Sequence, residues 1–203
     1  MIARTVFKML LMAAIALLVV YGTLAWVLAA EAPARFGLPE VMAAMAKVPA
    51  SRAEFVETKT IALLAKPLTL TGTLRYERPG TLERHVRTPV EERMLVEGDR
   101  LTLENVAQGT KRSFALQSNP VMWAFVESVR GTLAGNRAAL ERFYWVRVEG
   151  ERSGWVVNLD PRDAQMAELV QQIRVFGSAD RIDRIEVYEA NGDRSVTRIK
   201  PLG

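Results

Sequence analysis

Cysteine is absent from the 203 residues, and histidine occurs once, at His85. Without cysteine there is no disulfide framework, no thiol nucleophile and no cysteine metal ligation, and the modified cysteine that would make the chain a lipoprotein itself is missing too. A single histidine cannot assemble an ordinary zinc cluster, and no EF-hand loop offers carboxylates to calcium. His85 therefore reads as a surface or strand-packing residue. The Gly-x-Ser-x-Gly elbow, the phosphate-binding Gly-x4-Gly-Lys-Ser/Thr loop and Gly-x-Gly-x-x-Gly are all missing. No two carboxylates stand out as a glycosidase pair. No catalytic residue, metal or cofactor is assigned, and the chain reads as a non-enzyme. Charge of one sign is scarce: the net charge is +4, half of it from Arg4 and Lys8. That is too small and too dispersed for nucleic acid, although it leaves acidic lipid headgroups or weak acidic partners open. Fixed-period repeats and low-complexity linkers are also lacking, so one domain of moderate size is expected.

Hydrophobic residues make up 49% of the chain, concentrated at the start. After Arg4 and Lys8, an almost uncharged run from Met9 to Ala30 reaches roughly 33 Å as a helix, about one hydrocarbon thickness. Its positive start directs the remainder of the chain across the membrane. Val27-Leu28-Ala29 and Ala30-Glu31-Ala32 both suit signal peptidase, and Pro33 disfavours the second. Residues 1–29 thus read as a signal peptide or an uncleaved anchor, 30–37 as a spacer and 38–203 as the folded domain. Under both readings that domain lies outside the cytoplasm.

From Leu68 to Val106, short segments of alternating polar and apolar residues are separated by Arg78-Pro79-Gly80, Thr88-Pro89 and Gly98-Asp99, the pattern of an antiparallel meander. Leu68, Leu70, Gly72, Leu74 and Tyr76 share one face, with Leu82, Arg84 and Val86 across from them. An apolar sheet face must be covered by another layer or by a ligand. Ahead of the meander, Leu38, Val41, Met42, Met45 and Val48 form the apolar side of a helix, read either as core or as a lid. Residues from Phe55 to Leu63 suggest the first strand.

Further on, Lys111 to Gln117 reads as a strand. Asn119 and Pro120 suit a helix start, and Met122, Phe125, Val126, Val129 and Leu133 then recur at helical spacing, with Trp123 off the stripe. Arg137 to Arg142 suggests a brief helix. Phe143 to Val148 pairs with Trp155 to Asp160, and alternation puts Tyr144 and Trp145 on opposite faces. Further strands follow at Leu169 to Phe176, Arg181 to Tyr188 and Arg194 to Ile199, the last two joined by a tight Asn191-Gly192 turn. The expected total is eight to eleven antiparallel strands with two or three helices. The large aromatics Trp123, Tyr144, Trp145 and Trp155 serve core packing or contact with an apolar ligand. Arg78, at the rim of two strands, is either a solvated turn residue or a donor to the carbonyls or carboxylates of a helical lid, so that closure competes with ligand entry.

Phe55-Val56-Glu57-Thr58-Lys59, Gly72-Thr73-Leu74, Arg78-Pro79-Gly80, Pro89 and Leu95-Val96-Glu97-Gly98-Asp99 before Leu101 occur in the order found in the periplasmic lipoprotein carriers of Gram-negative bacteria. The chain resembles that LolA-like family from about Leu38 to Ile199. Glu57 stands where the family usually has glutamine, and Leu82-Glu83-Arg84 where an aromatic pair is common, which suits a divergent relative rather than the dedicated carrier. The resemblance implies a mainly antiparallel β fold with α, an incomplete, half-open β-barrel of LolA/LolB type covered by helices, with Arg78 holding the lid. It implies a monomeric carrier or chaperone that shields acyl chains of a lipoprotein or another envelope lipid, between an inner-membrane donor and an outer-membrane acceptor. Leu70, Leu74, Tyr76, Leu82, Met94, Leu103, Phe114, Met122, Phe125 and Val126 would then line the lipid-binding cavity, their facing taken from periodicity. The alternative is a noncatalytic envelope adaptor or sensor that binds a protein partner through the same sheet.

Overall fold

The computed structural model describes residues 36–118 and 120–202. The export or anchor segment 1–29, the spacer up to residue 35 and Asn119, read above as a helix cap, lie outside the described residues, as does the side chain of Phe125.

After a helix α1 (Leu38–Met45), the chain forms β1 (Ala50–Thr60), β2 (Leu68–Glu77), β3 (Thr81–Thr88), β4 (Glu92–Glu97), β5 (Arg100–Asn105) and β6 (Thr110–Ala115). A 3-10 turn (Leu116–Ser118) leads to α2 (Pro120–Ala134) and α3 (Arg137–Phe143), then β7 (Tyr144–Glu151) and β8 (Gly154–Pro161). A one-turn α4 (Ala164–Ala167) precedes β9 (Val170–Ser178), β10 (Arg181–Glu189) and β11 (Arg194–Pro201). All eleven strands belong to one antiparallel sheet, in the order β6-β5-β4-β3-β2-β1-β11-β10-β9-β8-β7. The sheet is open, with β6 and β7 at its two edges.

Three differences from the sequence reading have local causes. The first strand ends at Thr60 rather than near Leu63, because Leu64 N–H bonds back to Ile61 O at 2.9 Å and closes a turn. α1 stops at Met45 rather than Val48, and Lys47 and Val48 donate to the carbonyls of Ala44 and Met45 in a tightened end. α4 was not anticipated. Its signal is Asp163, whose carboxylate accepts Met166 N–H at 3.1 Å and caps the turn.

One face of the sheet is apolar and meets the helices. Val41, Met42 and Met45 of α1, Ala124 of α2 and Leu140 of α3 form a buried cluster with Tyr144, Trp155, Val157, Leu159, Met166, Ile173 and Val175 from the β7–β9 side. Tyr76, Leu82, Val96 and Leu101 from β2–β5 form a second cluster with Leu116 and Val126. α1 is fixed at its start by Glu40, whose carboxylate accepts Gly37 N–H at 2.8 Å. It is fixed at its end by Gly135, just past α2, where a positive φ of 67° brings the backbone against Met42 and Ala46.

The other face is polar. Glu186 there is 5% exposed, yet it accepts the Tyr188 hydroxyl at 2.7 Å and pairs with Arg184 and Arg194, each at 3.1 Å. Burial opposes its ionisation, but Tyr188, Arg194, Arg184 and Arg174 outweigh it and hold the carboxyl below the ordinary carboxylate range.

Candidate functional site

The apolar face of β2–β6 is built in rows, because residues paired across antiparallel strands point the same way. The deeper row runs Tyr76, Leu82, Val96, Leu101, Phe114. α2 seats on it through Val126, with Met122, Trp123, Val129 and Leu133 packed around. Tyr76, Leu82 and Val126 are buried, at 2%, 9% and 2% exposure. The next row runs Leu74, Arg84, Met94, Leu103, Arg112. There α2 gives less cover: Leu74 and Met94 are half-buried, and Leu103 is 38% exposed.

The ten residues expected to line a cavity therefore divide. Tyr76, Leu82, Val126, Met94, Phe114 and Met122 meet in the cluster under α2. Leu70 and Leu74 belong instead with Phe55 and Val86 near β1. Leu103 stands at the uncovered margin, and the side chain of Phe125 lies outside the described residues. Two hollows, of about 350 Å³ beside Glu97, Asp99, Arg100 and Ala115 and about 470 Å³ along Ser153–Val156 and Phe176–Ser178, have none of the ten in their walls.

Two arginines tie helices to the rim of the sheet. Arg78 Nη2 donates to Ala46 O at the end of α1, while its own N–H bonds Pro49 O at 3.0 Å. From the other side, Arg130 of α2 donates to Gly98 O in the β4–β5 turn at 3.1 Å, oriented by Glu127 at 2.9 Å. Arg130 was missed in the sequence, where its signal was the i,i+3 carboxylate of Glu127. A second group was missed on the apolar face itself. Arg84 pairs with Glu57 at 2.5 Å and lies 4.9 Å over the Phe55 ring. Glu57, at 8% side-chain exposure, is thereby neutralised, with Lys59 at 3.7 Å behind it.

The aromatics link α2 to the far edge of the sheet. Trp123 meets Phe143 edge-on at 5.0 Å, and Tyr144 OH lies 3.5 Å from Ala124 O. Burial pushes the Tyr144 phenol up, partly offset by Ser128. Among the described residues, no group of three or more His, Asp or Glu is placed to hold a metal ion, and no helix is long and apolar enough to cross a membrane.

The family model for outer membrane lipoprotein carrier protein LolA-like chains matches residues 30–200. This chain belongs to that family. The LolA-like chain is also similar to the solved structure of a LolA superfamily protein from Nitrosomonas europaea, at 12% identity and a TM-score of 0.44, over 81% of this chain and 92% of that one. It is similar to LprF from Mycobacterium bovis at 11% identity and a TM-score of 0.34, over 80% of this chain and 91% of that one. No curated protein matches it.

Proposed function

We propose that this LolA-like chain is an exported, periplasmic carrier that shields acyl chains of a lipoprotein or another envelope lipid, the sheet curving as a half-open barrel beneath its helices. The observation that supports this most is the partial exposure of the Leu74, Met94 and Leu103 row beside a row sealed by α2. An acyl chain would enter along the uncovered row and displace α2 from the covered one, with α1 moving from the adjoining cluster over β7–β9. Each methylene withdrawn from water contributes roughly 0.8 kcal/mol, so one long chain would offset both the separation of α2 from the sheet and its own ordering.

Arg78 is the lid control in this reading. Its bond to Ala46 O ties α1 to the rim, and opening α1 would also withdraw Val41, Met42 and Met45 from their cluster, a cost that the burial of an acyl chain would offset. Arg78→Leu is expected to change the rate of lipid release by about tenfold, equivalent to ~1.4 kcal/mol, while the unfolding free energy moves by less than that. Release kinetics of a fluorescent acyl probe, set beside urea unfolding, check this. Unchanged kinetics would remove the role from Arg78.

Native mass spectrometry of protein gently purified from the envelope tests the carrier reading directly. A reproducible lipid mass is expected. Repeated recovery without lipid, together with failure to load lipid on reconstitution, would leave the packed cluster of Tyr76, Leu82 and Val126 as a permanent core. The chain would then be an adaptor that uses the same sheet for a protein partner.

A further inference from the structure

Five of the nine exposed large apolar side chains among the described residues stand at one end of the sheet: Leu63 at 96%, Leu64 at 50%, Val90 at 44%, Val106 at 43% and Leu169 at 54%. The pairing explains why. Each antiparallel hairpin sends alternate connections to opposite rims, so residues 61–67, 89–91, 106–109 and 162–169 all emerge on one rim. The first three join β1–β2, β3–β4 and β5–β6, which are consecutive in the sheet, so their tips lie roughly 10 Å apart, two strand spacings each. The opposite rim carries Arg78-Pro79-Gly80 and Gly98-Asp99, and with them the two arginine ties to the helices.

These tips are held outward. Ala62 N–H donates to Asp193 Oδ1 at 2.9 Å and Leu64 N–H to Ile61 O at 2.9 Å, so the β1–β2 turn is stapled to the neighbouring hairpin and Leu63 is left projecting. Two carboxylates near these tips are engaged, Asp193 with that turn and Glu91 with His85 Nε2 at 2.8 Å, while Glu168 stands exposed beside Leu169, away from the three consecutive tips. Lys66, beside Leu64, is exposed and has no ion-pair or hydrogen-bond partner among the described residues.

We infer that this rim docks on a phospholipid bilayer, with Leu63, Leu64, Val90 and Val106 entering the interface as separate points and Lys66 beside the headgroup phosphates. A protein partner needs a contiguous patch, on the order of 800 Å² per side. Here single aliphatic tips are separated by polar strand ends, among them Thr60, Thr88, Asn105 and Thr110. A bilayer interface accepts each tip individually and leaves the hydroxyl and amide groups hydrated, and the ammonium group of Lys66 suits an anionic surface. This inference concerns where the chain sits and is independent of which cargo it holds.

The absence of cysteine makes the test direct, because one introduced thiol is the only labelling site in the full chain. Leu63→Cys, Val106→Cys and, on the opposite rim, Asp99→Cys are each labelled with a polarity-sensitive dye and mixed with vesicles of phosphatidylcholine and phosphatidylglycerol. Emission is expected to shift to shorter wavelength at positions 63 and 106 and to stay unchanged at 99. Leu63→Ser with Leu64→Ser should weaken the vesicle-dependent shift at position 106 by about tenfold or more, while loading of an acyl probe is unchanged. Water-like emission at 63 and 106 in the presence of vesicles overturns the proposal, and so does a shift that appears only with envelope proteins. A rim shift in protein that never loads the acyl probe keeps the docking surface and removes the carrier reading.

Discussion

Gly135→Ala is expected to unseat α1 and destabilise the domain by about 2–4 kcal/mol, read as a lower urea midpoint with increased binding of a dye that reports exposed apolar surface. The residue has φ +67°, where an alanine side chain is strained, and its Cβ would stand 2.2 Å from Met42 O and 2.8 Å from Ala46 Cβ. The φ penalty alone is roughly 1 kcal/mol. The larger part comes from the overlap, since a backbone carbonyl cannot swing aside as a flexible side chain can. α1 must therefore retreat, and Val41, Met42 and Met45, now 0%, 4% and 2% exposed, lose their burial. If α1 is the lid, the same substitution accelerates exchange of bound acyl probe. Wild-type stability and exchange in the alanine variant would show that α1 is not held by this contact.

Gly177→Ala is the second large effect, expected to lower stability by about 3 kcal/mol or more with little change in the helices over β2–β5. Gly177 is paired with Trp155 across β8 and β9, and the indole lies over the space its side chain would fill. A Cβ there would be 2.3 Å from the Trp155 ring and 2.2 Å from Arg181 O. Trp155 cannot turn away freely: it is 1% exposed, and its indole N–H donates to Ala179 O at 3.2 Å. Chemical denaturation of the variant followed by circular dichroism checks the result. A midpoint within error of wild type would mean that the indole has a second seat.

Those two glycines illustrate what the sequence did and did not reveal. Alternation assigned the face of Leu70, Leu74 and Tyr76 correctly and separated Tyr144 from Trp145, which are 1% and 58% exposed. It succeeded because a strand with one covered face must repeat every two residues. The α2 stripe was legible for the matching reason at helical period. Trp123, placed off that stripe, is nonetheless partly buried against Phe143, because α3 and β7 approach from a direction that local spacing does not encode.

The same limit governs the candidate site. The Arg78 contact was anticipated in kind, since a rim arginine needs an acceptor, but Ala46 as that acceptor depends on where α1 ends. Glu57 and Arg84 meet only once β1, β2 and β3 are in register, so neither residue signals the other in the chain. Leu63 was assigned to a strand because leucine fits the alternating pattern. The capture of Ala62 N–H by Asp193, a residue of the last hairpin, helps place it at a turn tip instead.

The seam between β1 and β11 also has a consequence for how the molecule is made. The strand that comes after the first helix lies beside the last one in sequence, and within the sheet only the β1–β11 pairing joins the six-stranded and five-stranded halves. During synthesis the strands of the two halves stay unpaired until nearly the whole domain has emerged, because long-range pairing cannot precede the arrival of its second partner. The last seam of the sheet to close is thus the one that waits for the final strand, although its partner is the first strand made.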